Sequence, residues 1–453
     1  MRSPRSSSKP TNRLNISNLW PTFRSTTLEA TAICRALIMA ALLALTLVAA
    51  HPAQAQTETV LYNFCSIESQ GNCLDGTYPL SSLTSYGGKW YGTTQQGGVG
   101  YQGFGYGTVF QLAPNGSGGW NESVLYNFCT QGGENCTDGA YPNGAVVFDT
   151  AGNLYGTTPE GGNSNCGSDP GCGLVFELSP AGASWTETLP YTFCSQGTCT
   201  TGDFPGGLFI DSVGNLYGSD DEGVFELSPS GGSWTWKLLS FNVINSVGLA
   251  MDAAGNFFTL LPPGEAGGWT VFEVSPNGEG GWKTTALYSF PSTAVPSGQI
   301  AWGGPTLDQA GNIYLTVTAL IGKRHEPPAL RGLVYKLTLG KSGEWTRTTV
   351  FTFTPANSEA DGTVPWGGVV VDAAGNIYGT TRYGGAYGMG TVFEILPPVG
   401  KSNKYQEKVL WNFNGTNGSG PQGGLILDGA GNLYGTTTAG GLYGGGVVFE
   451  VTP

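Results

Sequence analysis

The chain has 453 residues, of which 74 are glycine and only 11% are charged, and its formal net charge is −13. Apolar residues still make up 40%, so the composition excludes a disordered chain and is typical of a folded, turn-rich protein. An acidic surface repels phosphate backbones and anionic lipid head groups, so neither nucleic acid nor a membrane surface is an expected partner.

The first 55 residues predict an export signal. Six basic residues precede the apolar run 36–50, and Ala53-Gln54-Ala55 offers a cleavage site of the small-x-small type. This order is that of a secretory signal, and the apolar run is too short to span a bilayer comfortably. We therefore predict a signal peptide over residues 1–55 and an exported mature chain, extracellular or periplasmic, with no membrane span.

The mature chain keeps eight cysteines, which fall into four close pairs. An even number of cysteines in an exported chain indicates disulfides. Zinc is the alternative, but it needs four converging ligands, usually from CxxC pairs, and the sequence contains no such pair. We therefore predict four local disulfides and no metal site at these residues: Cys65–Cys73, Cys129–Cys136, Cys166–Cys172 and Cys194–Cys199.

A repeat of four strand-like runs fills the rest of the chain. Clear copies read GGVVVDAAGNIYGTT (367–381) and GGLILDGAGNLYGTT (423–437), each followed by an apolar third run such as TVFEI. The fourth run, such as VLYNF, alternates and in most copies follows a tryptophan. Seven copies with a mean spacing of about 57 residues are typical of propeller blades. We therefore predict an all-β fold, a monomeric seven-bladed β-propeller of four-stranded antiparallel blades, as a single domain over residues 56–453.

The two ends of the repeat region predict how the ring closes. Val60–Phe64 has the pattern of a fourth strand with no blade before it, and Val447–Val451 has the pattern of a third strand with no partner after it. An open row of blades would leave unpaired strand edges at both ends. We therefore predict that strand 60–64 pairs with the last blade.

An Asp-x-x-Gly-Asn turn recurs between the first and second runs. Glycine and asparagine tolerate positive φ, and an aspartate can cap backbone N–H groups two or three residues later. Calcium ligation is the alternative, but each blade offers too few carboxylates, so we expect structural turns and no cofactor. We also expect five tryptophans to pack between blades: Trp120, Trp185, Trp234, Trp282 and Trp345.

The predicted site lies on one face of the propeller. The segments that lead into the first strands share this face with the loops between second and third strands, and variable loops on a rigid scaffold commonly carry function. Four aspartates there could cap turns, or they could form a carboxylate ring that binds a cation or sugar hydroxyls at the channel mouth. The candidate ligand-binding residues are Asp75, Asp138, Asp203 and Asp361, together with Trp302 and Trp366.

Catalytic residues are scarce. After cleavage of the signal, His325 is the only histidine, and no serine-containing elbow lies near it. We therefore predict no catalytic residue and favour a non-enzymatic exported propeller that binds a polysaccharide or another surface protein. The alternatives are a metal-assisted hydrolase or lyase that acts at the channel mouth, where paired carboxylates could cleave glycosidic bonds, and a structural module of the cell envelope.

The repeat pattern GGLxxDxAGNLYGTTxxGGxxGxGTVFEL resembles the GloVer (Gloeo/Verruco) tandem repeat of exported bacterial proteins, known as choice-of-anchor tandem repeat GloVer-containing proteins. The resemblance covers residues 57–453 and is most specific in the second, sixth and seventh copies. The first, fourth and fifth copies depart from it, at Lys89, near Phe258 and at Tyr314-Leu315. The resemblance implies export, and it carries no catalytic residue over to this chain. The pattern DxxGNLY is also similar to that of lactonase-like propellers, but the metal-site residues of those enzymes have no match here.

Overall fold

The computed structural model describes residues 56–162, 171–195, 203–240, 247–261, 269–290, 300–301, 303–321, 329–353, 361–400, 402 and 404–453. All of these residues belong to one compact unit, Gln56–Pro453. Seven antiparallel sheets form the blades of a β-propeller. The predicted fold class and blade number are therefore confirmed.

Each blade is numbered in chain order and runs from a short inner strand to a long outer strand. Strand β1 (Thr57–Asn63) precedes blade 1, and so does a small hairpin of β2 (Glu68–Ser69) and β3 (Asn72–Cys73). Blade 1 contains β4 (Thr84–Tyr86), β5 (Lys89–Thr94), β6 (Thr108–Pro114) and β7 (Trp120–Asn127). Blade 2 contains β8 (Val147–Phe148), β9 (Leu154–Thr158), β10 (Leu174–Ala181) and β11 (Ser184–Thr192). Blade 3 contains β12 (Phe209–Ile210), β13 (Leu216–Ser219), β14 (Val224–Ser230) and β15 (Ser233–Ser240).

The remaining blades follow the same order. Blade 4 contains β16 (Val247–Met251), β17 (Phe257–Leu261), β18 (Thr270–Pro276) and β19 (Trp282–Ser289). Blade 5 has two short inner strands, β20 (Ile300–Ala301) and β21 (Thr306–Leu307), which both pair with β22 (Ile313–Ile321), and then β23 (Ala329–Leu339) and β24 (Trp345–Thr352). Blade 6 contains β25 (Val370–Val371), β26 (Ile377–Thr381), β27 (Thr391–Leu396) and β28 (Gln406–Asn412). Blade 7 contains β29 (Ile426–Leu427), β30 (Leu433–Thr437) and β31 (Val447–Thr452). Two single 3₁₀ turns, Tyr101–Gly103 and Gly133–Asn135, lie in loops.

The glycine of the YGTT pattern makes room for a phenylalanine ring. Gly156 in β9 lies opposite Phe176 in β10, and a Cβ atom at Gly156 would lie 2.4 Å from Phe176 Cζ. Any larger residue would displace this fully buried ring from the core. The same pairing of glycine and phenylalanine occurs in four other blades: Gly92/Phe110, Gly218/Phe225, Gly379/Phe393 and Gly435/Phe449.

A second set of phenylalanines joins neighbouring blades. The residue that follows a fourth strand places its ring edge-on or tilted against an aromatic ring in the third strand of the next blade. At six junctions the ring centroids are 5.0 to 5.5 Å apart, which is the favoured range for aromatic pairs. These pairs make a continuous apolar contact between successive blades. They are Phe64/Phe110, Phe128/Phe176, Phe193/Phe225, Phe290/Tyr335, Phe353/Phe393 and Phe413/Phe449.

The Asp-x-x-Gly-Asn turns are structural, as predicted. Oδ1 of Asp428 accepts hydrogen bonds from the backbone N–H groups of Ala430 and Asn432, both at 2.8 Å. Its Oδ2 accepts a third from the Asn432 side chain at 3.1 Å. Equivalent contacts occur at Asp149, Asp211, Asp252, Asp308 and Asp372.

The predicted tryptophan packing is also confirmed. The ring of Trp234 in blade 3 lies 5.9 Å from that of Tyr155 in blade 2, and the ring of Trp282 in blade 4 lies 6.4 Å from that of Tyr217 in blade 3. The other three rings pack against apolar clusters: Trp120, Trp185 and Trp345.

Strand β1 closes the ring by pairing with β31. The register places Val60 opposite Phe449 and Asn63 opposite Val447. The strand begins at Thr57, earlier than predicted, and ends at Asn63, so that the fully buried Phe64 already packs on Phe110 of blade 1. Blade 7 therefore lies between blades 6 and 1, and the predicted closure is confirmed.

Two predicted disulfides are confirmed, Cys65–Cys73 and Cys129–Cys136. Cys172 and Cys194 are also disulfide-bonded, and their predicted partners Cys166 and Cys199 lie outside the described residues. Within the described ranges, no helix is both long enough and apolar enough to cross a membrane.

Candidate functional site

We call the face formed by the segments that lead into first strands and by the loops between second and third strands the loop face. The opposite face, formed by the Asp-x-x-Gly-Asn turns and the turns between third and fourth strands, is the turn face. In blade 1 the N–H of Thr77 donates to the carbonyl of Gln96 at 2.8 Å, and in blade 7 the N–H of Ser419 donates to the carbonyl of Ala439 at 2.7 Å. In these two blades the leading segment is therefore fixed to the loop of the same blade.

Two of the predicted site residues, Asp75 and Asp138, are each only 1% exposed. Oδ2 of Asp138 accepts hydrogen bonds from the N–H and the hydroxyl of Thr130, at 2.9 and 2.7 Å. Oδ2 of Asp75 accepts the equivalent two from Ser66, both at 2.9 Å. The following glycine, Gly139, has φ +93°, and a Cβ atom there would lie 2.6 Å from Thr158 Oγ1. The Asp-Gly pair thus caps a loop and fits it tightly against the second strand.

The other predicted residues differ from these two in their surroundings. Asp203 is partly exposed, and its N–H donates to Asp221 Oδ1 at 2.6 Å. Burial, with the nearby Asp221 carboxyl, raises the pKa of Asp203 to about 6. Asp361 is partly exposed, Trp366 lines the central channel, and Trp302 lies outside the described residues. The structure does not gather the four aspartates at the channel wall, and ligand binding by these six residues stays a prediction.

The central channel contains a cavity of about 690 Å³, lined by the inner segments of all seven blades. Its wall is largely backbone, because glycines of neighbouring inner segments touch. A Cβ atom at Gly367 would lie 2.6 Å from the carbonyl oxygen of Gly423, and one at Gly144 would lie 3.2 Å from Gly207 Cα. Trp366 is the one aromatic side chain of the blade 6 wall, and the Arg382 guanidinium lies 4.4 Å above its ring.

The loop face exposes large apolar and aromatic side chains on three consecutive blades. We call this group the aromatic arc. Tyr387 is 62% exposed, Tyr443 is 55% exposed and Phe104 is 65% exposed. Large exposed apolar patches commonly mark interaction sites. The arc consists of Tyr383, Tyr387 and Met389 in blade 6, Leu442 and Tyr443 in blade 7, and Val99 and Phe104 in blade 1.

The same asparagine at the end of the fourth strand holds each of these three loops. Oδ1 of Asn412 accepts the N–H of Ala386 at 2.8 Å in blade 6. Asn63 accepts the N–H of Leu442 at 2.9 Å in blade 7, and Asn127 holds the loop of blade 1 in the same way through the N–H of Val99, at 2.8 Å. The loops are therefore fixed before any ligand arrives, which lowers the entropic cost of binding. The asparagine before phenylalanine, combined with a GG-containing loop, is the sequence signal that could have located the arc.

Carboxyl groups with raised pKa lie at the junctions between blades. The Tyr126 hydroxyl of blade 1 lies 2.7 Å from Glu187 Oε2 of blade 2 and 3.0 Å from Asp138 Oδ2. A hydroxyl donates one proton, so a second carboxyl group at the same oxygen must carry its own proton to form a hydrogen bond. Burial accordingly raises the pKa of Glu187 to about 7.

Three further glutamates occupy equivalent positions in fourth strands. Burial raises the pKa of Glu58 and of Glu407 to about 7 and that of Glu122 to about 8. In all four glutamates, Oε1 is buried and has no hydrogen-bond partner among the described residues. These groups sit between blades, where they can hold protons near neutral pH. Nowhere in the described part of the chain do three His, Cys, Asp or Glu side chains come together as metal ligands would.

The sequence profile of the Gloeobacter/Verrucomicrobia repeat matches residues 46–226 and 303–453. The chain belongs to the Gloeobacter/Verrucomicrobia repeat family. The predicted family is thereby confirmed, and the unmatched stretch includes blade 4, which lacks the YGTT glycine. No curated protein matches this Gloeobacter/Verrucomicrobia repeat protein.

Several solved structures resemble the Gloeobacter/Verrucomicrobia repeat protein in fold. A protein from Bacteroides uniformis, assigned as a 6-phosphogluconolactonase, is 13% identical with a TM-score of 0.44, over 79% of this chain and 97% of its own. The extracellular domain of an assigned one-component system from B. thetaiotaomicron is 12% identical with a TM-score of 0.48, over 87% and 42%. A gluconolactonase from Xanthomonas campestris is 12% identical with a TM-score of 0.32, over 61% and 78%. At such identities and TM-scores, none of these similarities bears on what this chain binds.

Proposed function

We propose that the protein is an exported, non-enzymatic propeller that binds a neutral extracellular polysaccharide through the aromatic arc. The observation that carries the proposal is the exposure of tyrosine and phenylalanine rings on three adjacent loops that are fixed before binding. Rigid aromatic side chains provide large contact areas at a low cost in conformational entropy.

The charge distribution favours a neutral ligand. The three loops, 95–107, 382–390 and 438–446, contain one charged residue, Arg382. Its guanidinium lies 4.4 Å from the ring of Trp366 and 5.1 Å from that of Tyr383, so the cation is engaged by aromatic faces. Glycine-rich loops also present backbone groups that can bind sugar hydroxyls.

Export is supported by two features. The sequence at residues 1–55 has the order of a secretory signal, and disulfides close loops on the loop face at Cys65–Cys73 and Cys129–Cys136. Disulfides persist in oxidising compartments and are rare in the cytosol. We infer that the mature chain works outside the cytoplasm, in the periplasm or beyond the cell.

Titration calorimetry against soluble neutral glucans, mannans and galactans tests the proposal. We expect Tyr387→Ala and Tyr443→Ala each to weaken binding about tenfold, which corresponds to about 1.4 kcal/mol. The control is Val213→Ala, because Val213 is 75% exposed but lies on the turn face. Equal affinity of all three variants would contradict binding at the arc. Capture of a surface protein together with no binding to any glycan would favour a protein ligand instead.

A further inference from the structure

A groove of the turn face lies between blades 1 and 2. It encloses a cavity of about 730 Å³. Aromatic side chains form much of its wall: the rings of Tyr86 and Phe148 stack with centroids 4.2 Å apart at an interplanar angle of 6°, and Tyr91 and Trp185 also line it. Tyr86 is 38% exposed, so one flat aromatic surface faces the open groove.

The polar side chains of this groove differ from those of the other blades. In blades 6 and 7, the tyrosine of the second strand lies between two carboxylates. The Tyr434 hydroxyl of blade 7, for example, is 3.3 Å from Asp428 Oδ2 and 3.1 Å from Glu450 Oε1. The cross-strand partner of this tyrosine position is a glutamate in five blades: Glu177, Glu226, Glu273, Glu394 and Glu450.

In blade 1, neither of these two positions holds an acidic residue, and a lysine lies nearby. Ser85 stands at the aspartate position of the turn, Gln111 at the glutamate position opposite Tyr91, and Lys89 at the asparagine position. Lys89 Nζ and the Tyr91 hydroxyl both donate to Gln111 Oε1 at 3.0 Å. The repeat thus presents a positive charge in this groove where other blades present negative charges.

Among the residues that the structure describes, no carboxylate forms an ion pair with Lys89. The ion pairs among the described residues are Lys336–Asp308 and Lys408–Glu394. Blade 5 also carries a lysine at the glutamate position, Lys336, but its turn keeps Asp308, which lies 3.7 Å away. An ammonium group has three donors, and Gln111 uses one of those of Lys89. The remaining donors can serve a bound anion.

We propose that the groove between blades 1 and 2 binds a carboxylate-bearing sugar, such as a uronic acid residue of a polysaccharide. Lys89 bonds the carboxylate, and the rings of the exposed Tyr86 and the partly exposed Trp185 contact the sugar ring. The groove combines an ammonium group that has no ion-pair partner among the described residues with aromatic side chains in its wall, which suits a ligand that carries both a carboxylate and a sugar ring. This site lies on the turn face and is independent of the aromatic arc.

The test is titration calorimetry of the full chain with an oligogalacturonate and with its methyl ester. We expect the oligogalacturonate to bind and the methyl ester, which lacks the charge, to bind at least tenfold more weakly. Gln111→Glu restores the residue that most other blades carry and places a carboxylate against Lys89, so it should weaken oligogalacturonate binding at least tenfold, as should Lys89→Gln.

Two control variants should bind the oligogalacturonate as the unaltered chain does: Lys336→Gln in blade 5 and Val213→Ala in the exposed turn of blade 3. Thermal unfolding of every variant shows whether it is folded. The proposal is overturned if the oligogalacturonate does not bind, if the methyl ester binds equally well, or if folded Gln111→Glu and Lys89→Gln both keep full affinity. It is also overturned if a glutamate-rich peptide binds as tightly, because the aromatic walls then contribute no preference for a sugar.

Discussion

One tyrosine hydroxyl contacts two carboxyl groups where blades 1 and 2 meet, so hydrogen bonds of single side chains link neighbouring blades. At the junction of blades 1 and 2, Tyr126 lies between Asp138 and Glu187. The Oε1 atom of Glu187 is buried and has no hydrogen-bond partner in the described ranges of the chain, so ionisation leaves a charge that is poorly solvated. The neutral form of this glutamate therefore suits the folded state.

Stability should fall as the pH rises from about 5 to 8. The pKa of Glu187 rises from its ordinary value to about 7 in the folded chain because of burial, so the unfolded state releases its proton first. The contribution of Glu187 to the free energy of unfolding is fully present below the pKa of the unfolded state. It is lost as the pH rises through the pKa of the folded state, about 7. The aspartates of the turns with lowered pKa values, such as Asp428, act below pH 4, outside this interval.

Glu187→Gln replaces the carboxyl group by an uncharged amide of similar shape, so it should remove part of the pH dependence of stability. We expect it to stabilise the protein by about 1–2 kcal/mol at pH 8 and to change little at pH 5. Urea unfolding at the two pH values measures both quantities. Equal effects at pH 5 and pH 8 would show that this glutamate is not a source of the pH dependence.

Asp138 contributes to stability by capping its loop. Asp138→Ala removes the acceptor for the N–H and hydroxyl of Thr130 in a buried place, so we expect the free energy of unfolding to drop by about 2–4 kcal/mol. The matched control is Glu279→Ala, since Glu279 is an exposed acid in a turn of blade 4. Equal stability of the two variants in chemical denaturation would be inconsistent with the capping role.

At the scale of single elements, each loop of the arc depends on one asparagine. Asn412→Ala removes the hydrogen bond that fixes Ala386, so amide hydrogen exchange in residues 384–389 should become about tenfold faster, because about 1.4 kcal/mol of local stability is lost. Asn115→Ala, in an exposed turn on the turn face, is the control. Unchanged exchange in 384–389 would mean that other contacts hold this loop.

The closing strand is the element on which the ring depends. Without residues 56–64, β31 keeps an exposed edge and Phe110 loses its contact with Phe64, so we expect loss of the cooperative unfolding transition and aggregation. Thr57 lies opposite Thr452, so a permuted chain that carries residues 57–64 after Pro453 through a short turn should recover the transition. Calorimetry of the two proteins decides the matter, and a truncated chain that unfolds like the complete one would contradict the role of β1.

On the scale of the whole molecule, the sequence predicts the architecture far better than the site. The number of repeats predicts the number of blades, and the unpaired strand patterns near Val60 and Val447 predict the closure of the ring. Both features can be predicted because repeats and strand patterns are visible in short stretches of sequence. The Asp-Gly pairs illustrate the limit. The sequence predicts that they form turns, but only the structure shows that Asp75 and Asp138 are buried and accept hydrogen bonds from their own loops.

Features that arise from contacts between blades are also invisible in the sequence. Tyr126 and Glu187 are 61 residues apart, and nothing local pairs them. The three loops of the arc lie on consecutive blades only because β1 places blade 7 between blades 6 and 1. Likewise, the sequence shows Lys89 only as a departure from the repeat pattern. Its contact with Gln111 and its place in the groove beside blade 2 are visible only in the structure.

The measurement that tests the proposed function most directly is hydrogen-exchange footprinting of the full chain with a neutral polysaccharide to which it binds. We expect slower exchange in the three loops of the arc, 95–107, 382–390 and 438–446, and no change in the Asp-x-x-Gly-Asn turns. Protection confined to the turn face, or no protection in any of the three loops at saturating polysaccharide, would contradict it.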